Sequence, residues 1–395
     1  MTVASIAVRS IERYESSIPQ PERLTTDPLA VVEDPSIDIV VELIGGIDPA
    51  LSLVQRALEL GKPVVTGNKE LLAAHGPELY AAAAASGVDL LFEGAVGGGI
   101  PLIRPLRESL LGEDITRVMG IINGTTNFIL SKMAAEGAAY DDVLAEAQAL
   151  GYAEADPTAD VGGFDAGAKA AIIASIVFGA EVTSQDVACE GITGVTADDI
   201  EHASRFGYVI KSLGVVERHN DGDGESEISV QVYPAMVPAS HPLASVNDSF
   251  NAVFVEGTSV GELMFYGRGA GGGPTASAVL GDVIDAAVNK VADTSAVLSL
   301  ASSVAVRPED QLCSSYYLTV SVNDEPGVLG QVTECFGRHR VSIRSMEQHG
   351  RGQGADLYFL THEAAHADIT AVLAELDGSD DVVAIGSLMR VIGEE

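Results

Sequence analysis

The run Ile37–Ile44, IDIVVELI, constrains the fold more than any other feature. An unbroken β-branched stretch of this kind reads as a strand buried on both faces of a parallel sheet. A parallel neighbour needs a crossover helix, and the sequence supplies one. Asp48-Pro49 offers an N-cap acid and a first-turn proline, Val54, Leu58 and Leu60 carry the helical period, and Gly61 ends it. The pattern repeats through a strand at Pro63–Thr66, an alanine-rich helix at Glu70–Ser86, a strand at Val88–Phe92 and a helix at Pro101–Leu111. Such alternation predicts a doubly wound α/β domain, which presents ligands at the carboxyl ends of its strands.

Beyond Ile115–Ile122 the pattern changes to long helices over Thr126–Glu136, Tyr140–Leu150 and Asp165–Phe178, then strand-like Ile228–Tyr233 and Ala252–Glu256. This predicts an α+β substrate domain, ended by a helix at Ala276–Val291 that returns to the nucleotide domain. Ala292–Ser315 loses periodicity and collects Ser, Thr and a Pro, as linkers do. The remainder reads as strand Tyr316–Val322, helix Gly327–Arg338, strands Val341–Gln348 and Asp356–Thr361, helix Ala367–Leu376 and strand Val382–Val391, a ferredoxin-like βαββαβ order. The expected domains are residues 1–122, 123–291 and 316–395, with 292–315 as linker.

Composition excludes several classes. A net charge of -35 repels phosphate backbones and anionic lipids, so neither nucleic acid nor a membrane surface is an expected partner. The longest apolar stretch, Ala168–Ala180, is shorter than the roughly 20 residues of a membrane span. The N-terminal residues lack the basic, apolar and small-residue blocks of an export signal. Three cysteines, far apart and without C-x-x-C spacing, disfavour a disulfide framework and a structural zinc site, and fit a reducing cytoplasm.

Chemistry concentrates in a few segments. Gly151–Asp160 holds Glu154, Asp156 and Asp160, and Asp165 and Lys169 follow four apart on a predicted helix, where they share a face. Carboxylates there could receive an amino group, and a lysine could accept the proton of a hydroxyl under oxidation. An ordinary surface pair beside a solvated acidic loop is the competing explanation. Lys69 stands at a strand end in Thr66-Gly67-Asn68-Lys69-Glu70, a ligand-facing position, or else a helix-start charge facing water. The loop Phe92–Pro101 (FEGAVGGGIP) lets carbonyls converge after a strand, which suits either a ligand approach or a hard monovalent cation, or else is a plain connection. Gly267–Thr275 (GRGAGGGPT) mimics a dinucleotide fingerprint, but it lacks a βαβ unit and the acidic residue about 20 positions on.

Together VVELIGG, VVTGNKELLAAHG, FEGAVGGGIP, GIINGTTNFIL, LGYAEADPTADVGGFDAGAKAAI and GRGAGGGPTASAVLGDV, in this order, resemble the homoserine dehydrogenases. The resemblance implies reversible NAD- or NADP-dependent interconversion of L-homoserine and L-aspartate 4-semialdehyde. It implies Lys169 and Lys69 as the acid/base pair, Glu154, Asp165 and Asp160 as substrate residues, and Lys69, Gly45, Gly151 and Gly271 as cofactor contacts. The main-chain carbonyls of Glu93, Val96, Gly98 and Ile100 match a family sodium site. The segment from Tyr316 (YYLTVSVNDEPGVLGQVTECF) looks like an ACT domain, associated in this family with threonine feedback, and its loop Asn323–Gly327 would offer backbone N–H groups to an effector carboxylate. The competing explanation is a structural or dimerising domain. A homo-oligomer is expected from the family.

Family members carry a strand, a G-x-G-x-x-G loop and a helix ahead of the strand corresponding here to Thr2–Val8, where this chain begins. The expectation is an incomplete Rossmann-type domain, without its central strand and phosphate loop and with weakened cofactor affinity. Arg9 and Arg13 follow the strand that reads the ribose 2′ position and lean towards NADP. The rival function is an inactive amino-acid sensor, against which intact Lys169 and Glu154 argue. A cysteine-thioester dehydrogenase is disfavoured, because no cysteine lies at a predicted strand end beside a histidine.

Overall fold

The computed structural model describes residues 1–220, 226–296, 298, 300, 304–352 and 354–393. The chain divides into two compact units, the first formed by 1–113, 171–186 and 267–304, the second by 114–170, 187–266 and 305–395.

The first unit holds β1 (Ile6–Ala7), β2 (Leu24–Thr25), β3 (Val40–Glu42), β4 (Val64–Thr66) and β5 (Leu90–Leu91). They form two parallel ladders, β1–β2 and β3–β4–β5, the incomplete Rossmann-type arrangement expected of this region. The run 37–44 proves to be strand only at its centre. Val40 and Glu42 are buried, whereas Val41, Leu43 and Ile44 are 43%, 60% and 38% exposed, so β3 is covered on one face only. Its glutamate is the buried polar residue that an apolar reading passed over. The following helix, Ala50–Glu59, is capped by Pro49 and not by the Asp48 carboxylate, and buries Ala50, Leu53, Val54, Ala57 and Leu58. Past Pro101 the expected helix to Leu111 shrinks to a wide turn, closed by Leu110 N–H on the Pro105 carbonyl. The helix Gly272–Ala292 joins this unit, packing Val279 and Ala286 against Val65 and Leu91.

The second unit holds β6 (Ile115–Ile121), β7 (Ala188–Cys189), β8 (Tyr208–His219), β9 (Glu227–Pro238), β10 (Phe250–Gly257) and β11 (Gly261–Arg268, to Tyr266 within this unit). It continues with β12 (Ala305–Val306), β13 (Cys313–Asn323), β14 (Ile343–Arg351), β15 (Gly354–Thr361), β16 (Ala364–Ala365) and β17 (Val382–Val391). The main sheet runs β11-β10-β6-β8-β9-β17-β13-β15-β14. Two corrections follow. The strand at 115–121, expected within the nucleotide domain, pairs antiparallel with β10 and β8. β8 was not anticipated at all, because Lys211, Ser212 and Gly214 interrupt its apolar pattern; Lys211 is nevertheless buried, donating to the Val246 carbonyl and to Asn127 and Asn247.

β13, β14, β15 and β17, with helices Val328–Arg338 and His366–Asp377, make the expected ferredoxin-like arrangement. Its sheet is continuous with the rest of the unit. One edge of β9 pairs fully with β8, and three short parallel partners tile the other: β12 at 227–228, β7 at 231–232 and β17 at 235–236. An edge that would otherwise expose unpaired N–H and C=O groups is thereby covered. β13 alternates accordingly: Tyr316, Leu318 and Val320 face its own helices, while Tyr317 packs with Ile129, Leu130 and Met236. The expected linker 292–315 contains β12 and the start of β13; its residues 297, 299 and 301–303 lie outside the described ones.

Candidate active site

In the second unit a buried polar cluster forms where β6 ends. Asn123 caps the helix Gly124–Glu136, its side-chain oxygen accepting from Thr126 N–H. Its amide nitrogen donates to Asp160 at 2.7 Å and to Asp165 at 2.9 Å. Helix Phe164–Phe178 sets Asp165 and Lys169 one turn apart, and Lys169 Nζ donates to Asp165 Oδ2 and to the Ile122 carbonyl, both at 2.7 Å. The side chains are only 7% and 11% exposed, so the surface-pair explanation does not hold. A buried ion pair is stable only with further hydrogen bonds, which Asn123 and the Ile122 carbonyl provide. Asp160 lies on a one-turn helix, Thr158–Val161, within a segment read as a loop.

Asn123 was missed by sequence reasoning, although Asn followed three residues later by Thr at a strand end is a recognisable cap signal. Glu154 is exposed, and among the described hydrogen bonds none joins its carboxylate to this cluster; its carbonyl accepts from Gln148. Gly151 terminates the helix Tyr140–Ala149 in left-handed conformation.

The first unit builds a separate constellation around Glu42, also missed. This buried carboxylate accepts from Ile44 N–H at 2.7 Å and from Thr66 Oγ1 at 2.7 Å. Asn68 donates to the Gly46 carbonyl and caps the helix that Lys69 begins, so the turn after β3 and the end of β4 are tied together. Gly45 and Gly46 adopt φ of 77° and 70° with nothing within 4 Å of a would-be Cβ, leaving an open backbone cradle at the strand's carboxyl end. Gly271, with φ 124°, opens the helix Gly272–Ala292. Cradle and helix start fit a dinucleotide cofactor.

The two glycine-rich runs, read separately in the sequence, pack on one another. Gly99 N–H donates to the Arg268 carbonyl, and a Cβ at Gly98 would lie 2.5 Å from the Gly269 carbonyl oxygen. The side chain of Glu93 is buried and accepts from the N–H groups of Leu102, Ile103 and Arg104, while its own N–H donates to Asp282. Val96 and Ile100 are buried in the same loop, and Gly97 and Gly98 turn the backbone through left-handed φ.

Burial pushes the Asp282 carboxyl up to about 6 from 3.8, opposed by the Glu93 N–H and Arg104. A carboxyl with a raised folded pKa favours the protonated folded state. Its contribution is full below the unfolded value and is lost as pH rises through about 6. Asp282→Asn keeps an oxygen for Glu93 N–H. Between about pH 4 and about pH 8 its stability relative to wild type is expected to shift in its favour by about 2–3 kcal/mol, read by denaturant unfolding. No shift would show that Asp282 ionises freely.

Family models match most of the chain. Residues 1–93 match the homoserine dehydrogenase NAD-binding domain, 101–284 homoserine dehydrogenase and 316–379 the ACT domain. A homoserine dehydrogenase of Corynebacterium glutamicum is 49% identical over 99% of this chain and 88% of its own length. One of Synechocystis is 46% identical over 99% and 92%. The crystal structure of a homoserine dehydrogenase from Thiobacillus denitrificans superposes with a TM-score of 0.92 at 42% identity, covering 98% of this chain and 89% of that one. A hyperthermophilic archaeal homoserine dehydrogenase in complex with NADPH superposes with 0.59 at 31% identity, covering 70% and 81%. With the NAD-binding, catalytic and ACT regions all matched, the chain belongs to the homoserine dehydrogenase family and is an NAD(P)-dependent oxidoreductase.

Proposed function

We propose that Lys169 and Lys69 carry the proton transfers of the reversible oxidation of L-homoserine to L-aspartate 4-semialdehyde. The observation behind this reading is the buried Lys169–Asp165–Asn123–Asp160 cluster, which fixes one lysine by two bonds. A nicotinamide cofactor, held by Gly45, Lys69, Gly151 and Gly271, would supply the hydride acceptor for the carbinol carbon. A lysine amine takes the hydroxyl proton in the oxidation direction and returns it in the reverse direction. Asp165, Asp160 and Glu154 hold the substrate ammonium, and Gly45, Lys69, Gly151 and Gly271 contact the cofactor. Arg9 and Arg13 favour NADP, in keeping with the NADPH named for the archaeal relative. The carbonyls of Glu93, Val96, Gly98 and Ile100 take a sodium ion. L-Threonine binds at the ACT region, with Gly327 opening the helix Val328–Arg338 towards its carboxylate, in a homo-oligomeric, cytoplasmic enzyme. Among the described residues no helix is long and apolar enough to cross a membrane. Full-length relatives named as dehydrogenases disfavour the sensor alternative.

The test is steady-state oxidation of homoserine with NAD or NADP, with and without threonine and with sodium exchanged for a larger cation. Failure of both cofactors to support turnover would overturn the reading.

Asn123→Ala removes a helix cap and the shared donor of two carboxylates. It is expected to cost about 1–3 kcal/mol in stability and to lower kcat/KM for homoserine by about tenfold or more. Asn123→Ser keeps a cap oxygen but not the amide, so it should recover stability while kcat/KM stays low. Recovery of both would reduce Asn123 to a cap.

A further inference from the structure

We propose that Cys335, His339 and Glu375 form a transition-metal site of the zinc class on the ACT region. Cys335 and His339 stand four apart at the end of the helix Val328–Arg338, and Glu375 comes from the neighbouring helix His366–Asp377. One ligand atom from each lies within 4.8 Å of the other two. Tetrahedral zinc at about 2.3 Å from sulfur and about 2.0–2.1 Å from nitrogen or oxygen needs ligand separations of roughly 3.3–3.6 Å, a movement of about an ångström.

The set is chemically suited to the ion. A thiolate and a carboxylate neutralise a divalent charge, and thiolate with imidazole selects zinc over magnesium or calcium. His339 Nε2 and Glu375 Oε2 lie 2.7 Å apart, a direct contact that a metal between them would open by about 0.6 Å. Arg338 holds the other oxygen of the same carboxylate, Nε to Oε1 at 3.0 Å, which orients Oε2 without competing for it. An Arg338–Glu375–His339 ion-pair network accounts for these three residues, and Cys335, packed in the core with its Sγ donating to the Val372 carbonyl at 3.8 Å, adds a sulfur within reach of them. Cys335 is buried, whereas the His339 and Glu375 side chains are 27% and 40% exposed, so an ion enters from solvent and keeps an open fourth position. The sequence offers no C-x-x-C signal, because the third ligand is 36 residues away on another helix. Binding would tie the two ACT helices together.

The experiment is cobalt titration of the reduced, chelator-stripped full-length chain. One equivalent is expected to give a thiolate-to-cobalt charge-transfer band with tetrahedral d–d bands, abolished by zinc. Cys335→Ala should lose the charge-transfer band, while a Cys189→Ala/Cys313→Ala variant keeps it. Glu375→Gln, a change at a partly exposed position that leaves the core intact, should weaken cobalt binding by about tenfold or more. No thiolate band in the wild type, a band surviving in Cys335→Ala, or unchanged affinity in Glu375→Gln would leave only the ion-pair cluster and overturn the proposal.

Discussion

Lys169→Ala is expected to lower kcat for homoserine oxidation by about 10²–10⁴-fold, the range associated with loss of a positioned acid/base group. The KM for homoserine should change much less, since Asp165 and Asp160 remain. The size of the effect rests on confinement: the Lys169 ammonium is held by Asp165 and by the Ile122 carbonyl in a setting that admits little water. Truncation also removes the ammonium paired with the buried Asp165 carboxylate, and breaking a buried ion pair costs about 3–5 kcal/mol. Lys169→Met with Asp165→Asn removes both charges and separates folding from chemistry. It should be nearer wild type in thermal stability yet as inactive as Lys169→Ala. A folded Lys169→Ala enzyme retaining kcat within tenfold of wild type would remove Lys169 from the proton path and leave Lys69 as the candidate.

Glu93→Ala should destabilise the first unit by about 3 kcal/mol or more. Three N–H groups, those of Leu102, Ile103 and Arg104, lose their acceptor where Leu102 and Ile103 are buried. Each buried donor left unmade costs about 1–3 kcal/mol. Glu93→Gln retains one oxygen and should recover about half of the loss. Because the same loop packs Gly98 against the Gly269 carbonyl, the alanine variant should also loosen the opening of the helix Gly272–Ala292. Denaturant unfolding measures the first effect, and proteolysis within 97–100 or 268–271 the second. A loss below about 1 kcal/mol would mean that water replaces the carboxylate as acceptor.

The sequence was most legible where one local rule sufficed. Asp165 and Lys169 share a face because four residues is one helical turn, and the structure pairs them. The βαββαβ order of the C-terminal region was readable because each of its strands and helices shows its own period. Partners remote in the chain were not readable. Glu42 reaches Thr66, Asn123 reaches Asp160 and Asp165, and Asp282 accepts from the Glu93 N–H, each across a separation that no periodicity encodes. Strand β8 was lost for a related reason. Its lysine reads as a surface residue until the acceptors at Asn127, Val246 and Asn247 are assembled around it.

By itself, the sequence determined the strand and helix order of the C-terminal region, the family blocks and the helical face shared by Asp165 and Lys169, because these depend on neighbours within a turn or on the order of motifs. Only the tertiary structure decided that 115–121 belongs to the large mixed sheet, that three short strands tile one edge of β9, and that two glycine loops interlock where a side chain would collide. Sheet membership and loop contact are choices among many edges and surfaces of similar local propensity. They are settled by which buried N–H and C=O groups find partners across the whole fold.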